Sequence, residues 1–275
     1  MNISIVGSGV AGITAAGTLR EKDPMSTIDL YTEENYLYYP RPKLYEILSG
    51  ELKPEETYVF PKCWYKKQRI KLHLNTELLS IDLANQTLRF EGQKRVTFDR
   101  LLLAPGARPF VPPIKGAEKM GVFTLRSMYD ALTIKNYAQT TQTSIIIGGG
   151  LLGLEFAASL RKLGQQVTVV ELSSRLCPKQ LDHMGALILQ NRLETQGIRF
   201  ALSGKTEEII GEKIASGIKL TSGKTIRGSL ILVSAGVRSN TRLAAESGIN
   251  INKGIIVDQY LQTSIDDIYA AGDVT

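Results

Sequence analysis

The sequence predicts an α/β protein built from two Rossmann-like dinucleotide-binding domains, and three observations predict it. A glycine fingerprint occurs twice, each copy lies between an apolar strand and a helix, and each is followed by a second strand that ends on a carboxylate.

In the first copy Ile3-Ser4-Ile5-Val6 reads as a buried strand and Gly7-Ser8-Gly9-Val10-Ala11-Gly12 as the turn. Residues 13–20 read as a helix, and 28–31 as a second strand running into Glu33 and Glu34. Gly7 permits the tight turn, Gly9 lets the backbone approach a pyrophosphate, and Gly12 lets the helix pack on the strand. The unpaired N–H groups and the positive dipole end of the helix then face the phosphates. Glu33, 21 residues beyond Gly12, stands where a carboxylate accepts hydrogen bonds from ribose hydroxyls.

The second copy has a strand at 144–147, the turn Gly148-Gly149-Gly150-Leu151-Leu152-Gly153, and a helix over 154–163 closed by Gly164. Its second strand, 167–170, ends at Glu171, 18 residues beyond Gly153. Two cradles imply two nucleotides. A carboxylate at 171 binds two free ribose hydroxyls and repels a 2′-phosphate, which favours NADH over NADPH, while Arg175 four residues later softens that preference.

Composition bounds the rest. At 275 residues, with 43% hydrophobic and 22% charged content, the chain has the make-up of a soluble globular protein with two medium cores. No apolar run approaches the roughly 20 residues of a membrane helix, and a strand begins at once after Met1, so the expectation is a cytoplasmic protein without a leader or membrane contact. Cys63 and Cys177 form no CxxC pair, and His73 and His183 have no metal-ligand spacing, so no metal site is expected. The net charge of +6 suits anionic cofactors or an acidic partner, and equally an uneven surface. No nucleic-acid motif accompanies it.

Beyond the first unit, the prolines of Tyr38-Tyr39-Pro40-Arg41-Pro42-Lys43-Leu44 exclude a regular helix. Arg41 and Lys43 are cations placed to meet phosphate or a flavin edge, or are plain solvated charges. The pattern Tyr38-x-x-Arg41-Pro42-x-Leu44 after Glu33-Glu34, with Pro61-Lys62-Cys63-Trp64-Tyr65 further on, resembles the FAD domains of NADH:rubredoxin reductases. Relatives of that family include nitrite reductase flavoproteins, ferredoxin reductases and NADH oxidases. The resemblance continues through 74–82, where it implies that the backbone near Leu78 holds adenine. Lys62 to Lys71 reads as a solvated helix face with its aromatics turned inward, in preference to a docking patch for an acidic electron carrier.

Leu101-Leu102-Leu103-Ala104-Pro105-Gly106 resembles the family turn that leaves the FAD domain beside the cofactor, with Pro105 in place of a threonine, a change that removes a hydroxyl and an N–H. Pro109, Pro112 and Pro113 then mark a stiff crossover. In the second unit the resemblance puts Glu155 beside the nicotinamide; the plain alternative is charge complementarity to the helix dipole. Residues 175–182 resemble a family segment that leads into a helix capped by Asp182 and ended by Gly197. A hairpin is expected around Ser222-Gly223-Lys224, and the buried strand 230–233 delivers Ala235-Gly236 to the nicotinamide pocket, as the resemblance implies. The closing Gly272-Asp273 then returns to the flavin, with Asp273 against the ribityl chain.

The resemblance therefore implies an FAD-binding domain in two parts, 1–112 and 237–275, with an NAD(P)H-binding domain, 113–236, inserted. The chain stops two residues after Asp273, where the family continues into a C-terminal interface domain, so the expectation is that this domain is absent and that a partner subunit covers the flavin or the chain is shortened. Residues 36–50 contain no cysteine, which argues against dithiol chemistry. The expected function is hydride transfer from NADH to FAD, with electrons passed on to a small carrier such as rubredoxin or ferredoxin. An NADH oxidase reducing oxygen, and a non-catalytic FAD-binding subunit or redox sensor, are the alternatives.

Overall fold

The computed structural model describes residues 1–275, the side chain of Gln93 excepted. It separates into two compact units, the first made of Met1–Pro40, Thr57–Arg108 and Val237–Thr275, the second of Arg41–Glu56 and Pro109–Gly236.

The first unit is organised on a five-stranded parallel sheet in the order Ile268–Ala270, Arg100–Leu103, Asn2–Val6, Thr27–Tyr31, Ile70–His73. Ile5, Ile28, Leu30 and Leu101 are fully buried, as expected of a parallel sheet covered on both faces. Helix α1 spans Val10–Lys22, longer at both ends than the 13–20 predicted, and buries Gly12, Ile13, Ala16 and Arg20 at helical spacing. An antiparallel meander of Leu78–Asp82, Thr87–Phe90 and Arg95–Thr97 completes the unit. The Tyr31 ring stacks on His73 at 4.5 Å and on Phe90 at 4.3 Å. Burial, then the nearby Asp29 charge, push its phenol up to about 12. His73 itself pairs with Asp29 at 2.6 Å, a structural use of the residue.

Arg20 pins the closed end of α1. Its guanidinium, 7% exposed, donates to Asp23 O (2.9 Å), Ser26 O (2.8 Å), Gln68 O (2.8 Å) and Arg69 O (3.2 Å). No uncharged side chain matches that fork of donors. Arg20→Met is expected to lower stability by about 2–4 kcal/mol, read as a drop in the urea midpoint of the whole chain.

In the stretch of lysines, Lys62–Lys67 form a short helix, with Trp64 stacked on Phe60 at 4.1 Å and Tyr65 only 4% exposed. The aromatics face inward and the lysines outward.

The second unit repeats the plan, with parallel strands in the order Arg199–Ala201, Gln166–Val170, Thr143–Ile147, Leu230–Val233, Val122–Phe123. In each unit the strand before the glycine turn is central. A capping box between Ser127 and Asp130 opens the helix Met128–Ala138. Asp182 caps the helix His183–Thr195 by accepting from Gly185 N at 2.8 Å. The hairpin turn at Gly223, with φ +84°, joins Gly217–Leu220 to Thr225–Arg227.

Arg41–Glu56 belongs to this second unit, although the sequence reading runs it with 1–112. A 3₁₀ turn at Arg41–Lys43 leads into the short helix Leu44–Ser49. Leu44, Ile47 and Leu48 are buried there at 3%, 0% and 0% exposure. Tyr45 O accepts from Ser159 Oγ at 3.1 Å, its ring lies 5.0 Å from Phe156, and Glu51 pairs with Lys162 at 2.6 Å. Among the described residues no helix is long and apolar enough to cross a membrane.

Candidate functional site: two glycine cradles

Each cradle lies at the carboxyl edge of its own parallel sheet, the edge at which open α/β sheets bind ligands. In the first, Gly7 (φ +106°) donates its N–H to Tyr31 O at 2.9 Å, and a Cβ there would stand 2.0 Å from Ala104 O. A Cβ at Gly12 would stand 1.9 Å from Gly7 O. Both glycines are therefore required by backbone against backbone. Gly9 differs, for it has an ordinary φ of −70° and nothing within 4 Å of where a Cβ would be. Gly9 caps α1 without any side-chain hydrogen bond, and the first turn, Val10 and Ala11 included, carries no acid. That end of the helix is shaped to take an anion.

The C-terminal segment reaches the same place. Ala271 N–H donates to Leu103 O at 3.1 Å, and a Cβ on Gly272 (φ +86°) would come within 3.0 Å of the Ala11 Cβ. Gly272 and Asp273 thus lie beside the first turn of α1 although more than 250 residues separate them in the chain. Pro105 leaves no gap in the neighbouring turn: Asn240, which sequence reasoning passed over, donates its side-chain amide to Pro105 O and its N–H to Gly106 O, both at 2.9 Å. Glu33 is exposed, and Glu34 accepts from the Tyr39 hydroxyl at 2.5 Å. Leu78 starts the meander opposite Phe90 and buries its side chain at 4% exposure, so only its backbone is left to serve a ligand.

In the second cradle Gly148 (φ +120°) donates to Val170 O at 2.8 Å, and its Cβ would meet Ser234 O at 2.2 Å. A Cβ on Gly153 would meet Gly148 O at 2.0 Å, and Gly150 has nothing within 4 Å. The two turns thus place their three fingerprint glycines under matching constraints. Leu151 and Leu152 follow, 56% and 50% exposed. Glu171 is 9% exposed and sits under the turn, Oε2 accepting from Gly149 N–H at 2.6 Å and Oε1 from Ser173 N–H at 2.7 Å. Ala235 and Gly236 are exposed, with Gly236 O accepting from Phe110 N–H at 2.8 Å.

Four predicted residues have places or partners that the sequence reading did not give them. Glu155 is exposed on a helix that starts at Leu151, so it lies past the first turn, which holds no acid; the helix-dipole alternative loses its basis there. Its charge, after burial, helps push the Tyr45 phenol up to about 12. Lys43 is held by Glu46 at 2.7 and 2.9 Å, and both it and Arg41 belong to the second unit. Arg175 donates Nε–H to Leu181 O (3.3 Å) and Nη2–H to Pro178 O (3.1 Å). Cys177 is buried, its thiol pushed up by burial and then by the Glu171 charge, and Cys63 is exposed.

Known proteins share this architecture. The family model for pyridine nucleotide-disulphide oxidoreductases matches residues 1–275. The nitrite reductase (NAD(P)H) of Bacillus subtilis (strain 168) is 37% identical over 98% of this chain, which spans 34% of that protein's length. The rubredoxin-NAD(+) reductase of Pseudomonas putida is 32% identical over 99% of the chain and 71% of its own length. Among solved structures, the ferredoxin reductase for the CYP199A2 system from Rhodopseudomonas palustris superposes with a TM-score of 0.93 at 31% identity, over 99% of this chain and 68% of that one.

Proposed function

From its membership of the pyridine nucleotide-disulphide oxidoreductase family, to which this chain belongs, we propose that it takes FAD in the first cradle and NADH in the second. The observation that carries this reading is the pair of matched turns, each with two glycines forced by backbone contact and one left open at a helix N-terminus. When bound, FAD supplies the chemistry, accepting hydride from NADH and releasing electrons to an external acceptor.

The residues do the holding. Gly7, Gly9, Gly12 and the open end of α1 receive the FAD pyrophosphate, and Glu33 takes its ribose. Leu78 offers backbone to adenine, and the turn at Ala104–Gly106 with Gly272 and Asp273 lines the rest of the cofactor. Gly148, Gly150, Gly153, Leu151 and Leu152 receive the pyrophosphate of NADH, Glu171 its ribose hydroxyls, and Ala235, Gly236 and Glu155 the nicotinamide side. On this reading the NAD unit is an insertion into a discontinuous FAD domain, carried with the segment that holds Arg41 and Lys43.

The acceptor we propose is a small electron-transfer protein of the rubredoxin or ferredoxin class. The names of a rubredoxin reductase and a ferredoxin reductase among the similar proteins support it. The test is a single titration: identify the flavin released from the purified protein, add NADH without oxygen, then offer rubredoxin, ferredoxin or oxygen in turn. Bleaching by NADH followed by recovery on adding a carrier is expected. Fast recovery with oxygen alone makes the protein an oxidase. A colourless protein that takes up no flavin, or a yellow one that NADH does not bleach, ends the proposal.

A further inference from the structure

We infer that Arg175 is a positioning residue that latches the second cradle shut from below and presets it for a pyridine dinucleotide, and that it is no ligand of a 2′-phosphate. The inference deepens the functional reading above and rests on it.

The middle glycine of the second turn, Gly149, lies outside the three-glycine fingerprint, yet the peptide groups on both sides of it are held. Its N–H donates to Glu171 Oε2 at 2.6 Å, and its carbonyl accepts from Cys177 N–H at 3.0 Å. Its third side is closed as well, since a Cβ would stand 2.9 Å from the Glu171 Cβ and 3.0 Å from Leu176 Cδ2. Fully buried Leu176 and Cys177 thus clasp the turn from beneath. In the first unit the same sequence position is Ser8.

The clasp needs a support. Cys177 has φ +46°, a conformation that costs a non-glycine residue free energy, and the carbonyls of Pro178 and Leu181 turn back just after it. Arg175 bridges those two carbonyls, through Nη2–H at 3.1 Å and Nε–H at 3.3 Å. The cation therefore ties down the loop that presents Cys177 N–H to Gly149 O. The Nε–Nη2 edge of the guanidinium, one of the two forks that can grip a phosphate, is committed to main-chain oxygens, and this geometry assigns Arg175 to the support of the turn. Cofactor choice then falls to Glu171 alone.

The experiment uses the flavin-loaded whole chain and the non-reducing probes NAD⁺ and NADP⁺, their dissociation constants measured by calorimetry for wild type, Arg175→Met, Arg175→Lys, Gly149→Ala and Glu171→Gln. Arg175→Met is expected to weaken both dinucleotides about tenfold, leaving their ratio as in wild type. Lysine, which reaches one carbonyl, is expected to restore part of the loss. Gly149→Ala, which presses on Glu171 and Leu176 directly, reaches the same phenotype by a second route should the arginine variants fold poorly, and Glu171→Gln is expected to move the ratio toward NADP⁺. A Met variant that loses NADP⁺ more than NAD⁺ makes Arg175 a phosphate ligand and overturns the inference, as does unchanged affinity for both in the Met and Gly149 variants. Wild-type protein that binds neither dinucleotide overturns the functional reading itself.

Discussion

A fragment of residues 109–236 is expected not to fold on its own, whereas the same fragment joined by a flexible linker to residues 41–56 is expected to fold cooperatively. The second unit claims that stretch as part of its core. Leu44, Ile47 and Leu48 are buried to 3%, 0% and 0% exposure, and Leu48 belongs to the cluster that includes Ile134 and Leu160. Burial of such side chains stabilises by about 1.5–3 kcal/mol each, so the three together contribute roughly 5–9 kcal/mol. That is comparable with the entire stability of a domain, about 5–15 kcal/mol. Far-ultraviolet circular dichroism and urea titration of the two fragments decide the matter. A cooperative transition in 109–236 alone, at the midpoint of the joined fragment, would show the segment to be dispensable.

Glycine substitutions within one turn are expected to have opposite kinds of effect. At Gly12 a Cβ would meet the Gly7 carbonyl at 1.9 Å, and backbone cannot yield as a side chain does. Gly12→Ala is therefore expected to destabilise the chain by about 3 kcal/mol or more. At Gly9 the space is open and φ is −70°, so Gly9→Ala is tolerated within about 1 kcal/mol, the difference between the two residues at a helix cap. On the proposed function the methyl takes up volume that the FAD pyrophosphate would fill, and flavin retention is expected to fall at least about tenfold. Gly150→Ala repeats the effect in the second cradle, weakening NADH while FAD content stays as in wild type. The flavin-to-protein absorbance ratio after gel filtration, an NADH titration and a urea curve separate the cases. A Gly9→Ala protein that keeps flavin at wild-type affinity would remove FAD from the first cradle.

How much of this was legible in the sequence follows from how local each signal is. The strand, glycine turn, helix and acid of each cradle are consecutive, and their contacts are fixed by short-range backbone geometry, so the sequence pattern located both. The cap at Asp182 and the hairpin at Gly223 were readable for the same reason. The attachment of Arg41–Glu56 was not, because Leu44 to Leu48 find their partners on helices that begin at Met128 and Leu151, and no local pattern announces which sheet an apolar turn joins. Asn240 closes the Pro105 turn from 135 residues away, a pairing that leaves no mark in either segment. Gly149 had a visible signal in the run of three glycines, yet only the positions of Glu171 and Leu176 say why a side chain is excluded there.

The edge strand of the first sheet, Ile268–Ala270, follows the whole of the second unit in the chain, and it pairs with Arg100–Leu103. During synthesis every part of the second unit is made before that strand exists. The nascent protein therefore has its second unit whole while the sheet of the first still waits for an edge strand. A ribosome stalled between Gly236 and Ile268 leaves the second unit whole and the first with an unpaired edge at Leu101, Leu102 and Leu103, the sort of bare strand that chaperones bind and that aggregates recruit.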